Sequence, residues 1–363
     1  MKKILALALA LVMALALVAC GGGGGGTTTT TPPADSSSTT TTPASGGDTT
    51  TPAASGTTFE KQTWKFACSA TDNTCWADMG RQFGKMVSDA TGGAVTVEVY
   101  AADQLTSGNQ TEGIQGVIDG TIELSAHSNI IYSSFDKRLN VVSLPFLFDS
   151  FEDVDKKLDG DAGKAVGKVV EDMGLHLLGI AENGFRHPTN NKHPIEKMSD
   201  MQGLKIRVAG SDLLKREYDL WGASVTTANW SEVYTGLQTG TYDGQENPLP
   251  TADGGSISDV NKFVTYWTGV YDCIFFTMNG DLYNSLSPEL QKIVDEAGMK
   301  AAQQQRQLER QGDQEVLEKW KAAGVTVTEL TPEAAAEFKQ AAQACYSEFE
   351  EALTKELIDA FTN

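Results

Sequence analysis

One segment sets the scale of the whole fold. Ser287 and Pro288 read as an N-cap followed by proline at the first helical position, and helix-forming residues continue to Ala323 before Gly324 stops them. At about 1.5 Å per residue, this run of roughly 36 residues reaches about 54 Å if unbroken. That is longer than a single domain of about 150 residues is wide. The helix therefore has to cross two domains. The chain from Phe59 to Asn363, about 305 residues, is long enough to supply both.

The rest of that body alternates between two periodicities. WKFACSA (64–70) is strand-like, apolar residues at 79, 83, 86, 87 and 90 recur at helical spacing until Gly92-Gly93, and AVTVEVY alternates as a strand. Strand, helix, strand is the signature of a mostly parallel α/β sheet. The same reading predicts a helix over 112–119, a strand over 122–126, one helix over 151–173 and a strand over 175–181. A second set follows, with strand LKIRVA (204–209), a helix over 212–221, and a helix opened by the capping box Asn229 to Glu232. Trp230, Val233, Tyr234 and Leu237 share one face of that helix, and Gly240 ends it. FVTYWTGVYDCIFFTM (263–278) is strongly β-prone, and Thr331-Pro332-Glu333 caps a last helix predicted to reach Phe361.

The first 58 residues do not belong to that body. Lys2 and Lys3 precede an apolar run of 15 residues, Ile4 to Val18, shorter than the roughly 20 a membrane span needs. Leu17-Val18-Ala19-Cys20 resembles the lipobox of bacterial lipoproteins. Residues 1–20 thus read as a lipoprotein signal peptide with Cys20 as the lipidated residue, against a plain secretory signal with an incidental cysteine. Residues 21–58 carry no aromatic or large aliphatic side chain, so burial cannot offset the entropy of ordering them. They are expected to be a disordered tether, placing the body outside the cytoplasm and anchored to the cell membrane. The glycine run 21–26 has no strand or helix beside it and is no phosphate loop.

The net charge of the chain is −20, and the two leader lysines and two tether aspartates cancel, leaving the body equally acidic. Such a surface argues against nucleic-acid partners and against direct adsorption to anionic lipid. Four cysteines remain in the body: 68, 75, 273 and 345. Cys68 and Cys75 are close enough in sequence to close a small disulfide loop, with buried free thiols as the other reading. Neither CxxC spacing nor a neighbouring His completes a zinc set, so no metal and no cofactor is expected.

No GxSxG, HExxH, P-loop or EF-hand pattern occurs in the body, and its four His residues are scattered. GTYDGQENPLP (240–250) holds two acids, Asp243 and Glu246, in a short loop, which leaves a membrane-anchored hydrolase as one reading. Arginine is scarcer and more informative, at seven against 21 lysines. Arg81, Arg138, Arg216, Arg306 and Arg310 read as solvated. Arg186 follows a strand end, where open α/β sheets bind ligands. Arg207 lies inside an apolar strand, where a charge needs a partner. A guanidinium pairs with a carboxylate through two parallel hydrogen bonds, so the two arginines suggest a site for an organic anion, with an internal salt bridge as the alternative.

LPFLF (144–148), AENGFRHPTNNKHPI (181–195), MQGLKIRV (201–208), NWSEVYTGLQTGTYDGQENPL (229–249) and SLSPELQKIV (285–294) resemble the solute-binding proteins of tripartite ATP-independent periplasmic (TRAP) transporters, the DctP-type family. The resemblance runs from Thr63 to about Glu350. It implies an α/β, two-lobed periplasmic-binding-protein-like fold with discontinuous lobes, crossing strands and a long helix spanning both. Lobe I is then 59–183 plus 273–311, and lobe II 184–272 plus 312–363. It also implies a binding protein and not an enzyme, which captures a carboxylate solute by lobe closure and delivers it to an integral-membrane permease. An ABC-transporter receptor is the alternative within binding. By the same resemblance Arg207 forms the main salt bridge to the solute, Arg186 a second contact, Asn247 a further one, and Trp230 lies beside the ligand. The 68–76 and 125–129 loops fall at the cleft edge, bringing Trp76 and Ser128 into the set. Glu246 is expected to hold Arg186 from behind, while Asp243 shapes the turn. Trp267 and Tyr271 are candidate flat walls and Asp272 a candidate hydroxyl acceptor, which keeps both four-carbon dicarboxylates and sugar acids open.

Overall fold

The computed structural model describes residues 58–362; the leader, Cys20 and nearly all of the tether lie outside the described residues. The body is α/β, built on two sheets. Its strands are β1 (Gln62–Cys68), β2 (Val95–Tyr100), β3 (Leu124–Ser128), β4 (Leu175–Phe185), β5 (His187–Asn190), β6 (Lys205–Val208), β7 (Ser224–Thr227), β8 (Gly244–Asn247), β9 (Phe263–Tyr266), β10 (Tyr271–Asn279) and β11 (Thr326–Glu329). The first sheet has the order β2-β1-β3-β10-β4, and the second β11-β9-β5-β8-β6-β7.

Parallel pairing holds where helical crossovers connect the strands, as between β1 and β2, and between β1 and β3. Departures from a mostly parallel sheet come from strands that cross between the lobes. β10 runs antiparallel to both β3 and β4, and β5 antiparallel to both β8 and β9. β4 leaves the first sheet and, after Arg186 alone, becomes β5 of the second; β9 returns through residues 267–270 into β10. The single β-prone run at 263–278 is therefore two strands. The crossings are joined by Arg186 N–H donating to the Val270 carbonyl and the Trp267 indole donating to the Arg186 carbonyl, both at 2.8 Å.

The long helix is unbroken over Pro288–Ala322, 35 residues, with the Ser287 hydroxyl accepting from Leu290 N. Its first half packs on β4 and on the helix Cys75–Ala90, and further along it meets the helix Leu249–Gly254. Leu317 and Trp320 reach the second lobe's core with Val233, Leu237, Leu249 and Val264. A close crossing makes this possible: a Cβ on Gly298 would lie 2.7 Å from the Leu178 Cβ, and one on Gly179 would lie 2.8 Å from the Ala302 Cβ. The spacing argument for a helix bridging two lobes holds in the structure.

Other predicted helices are shorter than expected. The one anticipated over 151–173 is two, Phe151–Leu158 and Asp161–Glu171, with Gly160 as the N-cap of the second. The last helix breaks at Phe349 and again at Thr354, where φ is +64°, into Pro332–Glu348, Glu350–Leu353 and Lys355–Thr362. The first of these packs on the helix Asp212–Leu220, whereas the last packs on Asp161–Glu171. Arg306 and Arg310 face inward instead of into solvent. Arg306 donates to the Ile180 carbonyl and pairs with Asp159, and Arg310 clamps Asp155 and Glu182, tying the long helix to β4.

All four body cysteines are free thiols, so the small Cys68–Cys75 loop is not closed. Cys68 points into the first lobe's core, whereas the Cys75 thiol donates to a carboxylate oxygen of Glu309 on the long helix. The two side chains diverge because Cys68 ends a strand and Cys75 begins a helix.

Candidate ligand-binding site

The carboxyl ends of strands from both sheets meet at a small cavity of about 30 Å³. Its lining includes Ser69, Trp76 and Ser128 from the first lobe, Arg186 and Asn183 from the crossing, and Arg207, Trp230 and Asn247 from the second. All six residues anticipated as ligand contacts therefore line one cavity. Loops from the two lobes touch around it: Trp230 N–H donates to the Gln110 side chain at 3.3 Å, the Ser231 hydroxyl to the Gly108 carbonyl at 3.1 Å, and the Thr71 hydroxyl to the Gly254 carbonyl at 3.3 Å.

Arg186 is held by protein. Its Nε and Nη2 donate to the Glu246 carboxylate, Nη2 also to the Glu246 carbonyl at 2.8 Å, and Nη1 to Asp272. Glu246 accepts additionally from Ala209 N–H at 3.3 Å and is fully buried. Glu246, expected behind Arg186, is placed in direct contact with its guanidinium. Asp272 is a second carboxylate on the same guanidinium, and it also accepts from the Ser128 hydroxyl and the Asn183 amide, each at 2.7 Å. Asp272 is thus committed to the protein, contrary to its reading as a solute hydroxyl acceptor. Burial raises its pKa, with Arg186 pulling the other way.

Arg207 has a different environment. It is 1% exposed, its Nε and Nη2 donate only to the Ala228 carbonyl, and it makes no salt bridge with any described residue. Burial lowers its pKa to about 10, which the nearby Glu246 opposes and Arg186 reinforces. Its guanidinium carbon lies 6.0 Å from the centre of a Trp230 ring, within cation–π range. Gly255 makes room for that indole, since a Cβ there would come within 2.5 Å of the ring.

Two other buried donors at the cavity have no partner among the described residues: the Trp76 indole N–H and the Ser69 hydroxyl. The Ser128 hydroxyl is turned to Asp272, and the Asn247 amide donates to the Gln245 side chain at 2.7 Å. Ser69 and Gln110 were not singled out from sequence. The signal for Ser69 was its place directly after the end of β1, where strand ends of an α/β sheet face a ligand.

The acids of GTYDGQENPLP do not form a reactive pair. Glu246 is locked on Arg186, while the Asp243 carboxylate accepts from Lys205 N–H at 3.0 Å and pairs with Lys192, fixing the turn before β8. A wider, more open cleft of about 330 Å³ shares Ser69 and Trp230 with the small cavity and contains Asp103 and Asp259 but no basic residue. Among the described residues no cluster of potential metal ligands occurs, and no helix is long and apolar enough to cross a membrane.

Comparison with known proteins agrees with this architecture. The profile of bacterial extracellular solute-binding proteins, family 7 (DctP), matches residues 66–352. The 2,3-diketo-L-gulonate-binding periplasmic protein of Escherichia coli is 28% identical over 273 residues, covering 75% of this chain and 83% of that protein. A TRAP periplasmic solute-binding protein from Ralstonia eutropha, crystallised with (S)-2-acetolactate, matches with a TM-score of 0.80 at 30% identity, over 83% of this chain and 97% of the other. The sugar acid binding protein of Advenella mimigardefordensis, in complex with galactonate, gives 0.81 at 27% identity, over 84% and 97%. Two lobes joined by crossing strands, a helix spanning both and a profile match over most of the body together show that the chain belongs to the DctP family of TRAP-transporter solute-binding proteins.

Proposed function

We propose that this protein captures a carboxylate-containing solute, a sugar acid or a four-carbon dicarboxylate, between its lobes and presents it to a TRAP permease. The observation that carries the reading is Arg207, a buried guanidinium with no counter-charge among the described residues, lining a cavity with two further donors unpartnered among them. A buried charge without a partner is costly, and an ionised carboxylate is the group whose geometry matches it. The binding proteins described above take acetolactate and galactonate, both carboxylates, which supports the same class here.

In this reading Arg207 is the primary contact. Arg186, with most of its N–H groups committed to Glu246 and Asp272, contributes its position and field, and Asn247, Trp230, Trp76 and Ser128 complete the wall. Lobe I is taken as 59–183 plus 273–311 and lobe II as 184–272 plus 312–363, hinged where β4 passes into β5 and β9 into β10. A solute touching Arg207 on one side and Trp76 or Ser69 on the other favours the closed form to the extent that it binds that form better. No bond is made or broken in the solute. The lipobox-like sequence ending at Cys20 supports attachment to the outer face of the cell membrane, with the tether giving the body reach to the permease.

A thermal-shift screen of the full chain against organic acids, followed by calorimetry on Arg207→Ala, tests this. The expected result is a saturable carboxylate ligand bound at least roughly tenfold more weakly by the variant, about 1.4 kcal/mol or more. Unchanged affinity would sink the assignment of Arg207.

A further inference from the structure

We infer that the solute carries one negative charge, seated at Arg207, on an otherwise uncharged, hydroxyl-bearing body, and that a second carboxylate is rejected. This rests on the reading of Arg207 as the carboxylate site. Among the described residues, the charged side chains lining the inner cavity are Arg186 and Arg207. Arg186 is bonded to two buried carboxylates, Glu246 and Asp272, so that group already holds more negative than positive charge. One uncommitted cation remains, and it matches one anion.

The other free groups at the cavity are neutral. The Trp76 indole N–H and the Ser69 hydroxyl, each on a residue 4% exposed, have no partner among the described residues. Neutral donors suit a hydroxyl or carbonyl oxygen, but they do not compensate a second desolvated charge. The outer cleft sharpens the argument. A solute too long for the inner cavity extends past Trp230 into a space lined by Asp103 and Asp259 and by no Lys, Arg or His. Asp103 is itself buried, with its carboxylate 2.8 Å from His127 Nε2, so Asp259 is the exposed acid of the cleft. A carboxylate at the far end of the solute therefore meets like charge, a repulsive element that selects against the wrong ligand.

Matched pairs isolate the charge. Calorimetry on the full chain compares galactonate with galactarate, which differ only in a terminal CH2OH against a carboxylate, and succinamate with succinate. The singly charged member of a pair is expected to bind at least tenfold tighter. In Asp259→Lys, an exposed position, that gap is expected to shrink severalfold while the monoanion's affinity stays within about threefold. Equal or tighter binding of the dianion, or a gap unmoved in Asp259→Lys, would overturn the inference while leaving carboxylate binding at Arg207 intact. If no acid of either charge binds, the Arg207 reading falls and this one with it.

Discussion

The region around Arg186 and the region around Arg207 bury the same side chain and solve its charge in opposite ways. Arg186 sits where β4 passes into β5, within reach of Glu246 on β8 and Asp272 on β10. Burial pulls its pKa down, but those two carboxylates more than reverse this and hold it above its usual value. Arg207 sits on β6 with the Ala228 carbonyl as its hydrogen-bond acceptor and no salt bridge among the described residues, and there burial prevails. Neighbouring strands supply the counter-charge of Arg186 and make it part of the scaffold, whereas Arg207 has no salt bridge to any described residue, which is the basis of the proposed carboxylate site.

The largest effect that would break this comparison is on stability. Arg186→Ala leaves two buried carboxylates facing each other, and loss of one partner from a buried ion pair costs about 3–5 kcal/mol. Chemical denaturation of the ligand-free chain is expected to show a loss of that size; a change below about 1 kcal/mol would mean that Arg186 is not the scaffold arginine. Next comes Arg207→Ala, whose ligand-free stability should be unchanged or higher, because it removes a buried charge with no ion-pair partner among the described residues. A marked fall in its melting temperature without ligand would erase the distinction between the two arginines.

A pH experiment probes the surroundings of Arg186. Glu217 is fully buried, neither of its carboxyl oxygens has a hydrogen-bond partner, and burial raises its pKa well above the ordinary value, with Glu246 adding to the rise and Arg186 opposing it. A carboxyl raised in the folded state binds more protons there than when unfolded, so its contribution to stability is complete below about pH 4.5 and is lost as pH climbs toward the folded value. Glu217→Gln is expected to flatten that decline between pH 5 and 8, by about 1.4 kcal/mol for each unit of the rise. Parallel stability profiles of the two proteins would contradict it. The smallest effect is expected at Ser128→Ala. Its hydroxyl serves Asp272, so about 1 kcal/mol of stability should go, with solute affinity changing less than threefold. A larger loss of affinity would mean that Ser128 contacts the solute directly.

Much of the architecture was legible because it rests on local signals. The Ser287-Pro288 cap, the helix periodicity and the Asn229–Glu232 capping box describe interactions within a few residues, and each appears where expected. The two helices between 151 and 171, and the breaks at Phe349 and Thr354, were missed because a pattern of helix formers does not reveal an interruption of one or two residues. At the site, residue types and strand positions pointed to Arg186 and Arg207, and the family resemblance added Glu246. The Asp272 contact was not foreseen, since it joins residues 86 positions apart.

By itself the sequence determined that one long helix has to bridge two lobes, and it singled out two arginines in unusual settings, from which the proposed anion site starts. Helix length and apolar patterning are local quantities, and a charge inside an apolar strand is conspicuous in one dimension. Only the tertiary structure decided which arginine is already neutralised. Ion pairing falls off within a few ångströms, and the strands bringing Glu246 and Asp272 to Arg186 but no acid to Arg207 meet only when the crossings between the lobes are complete.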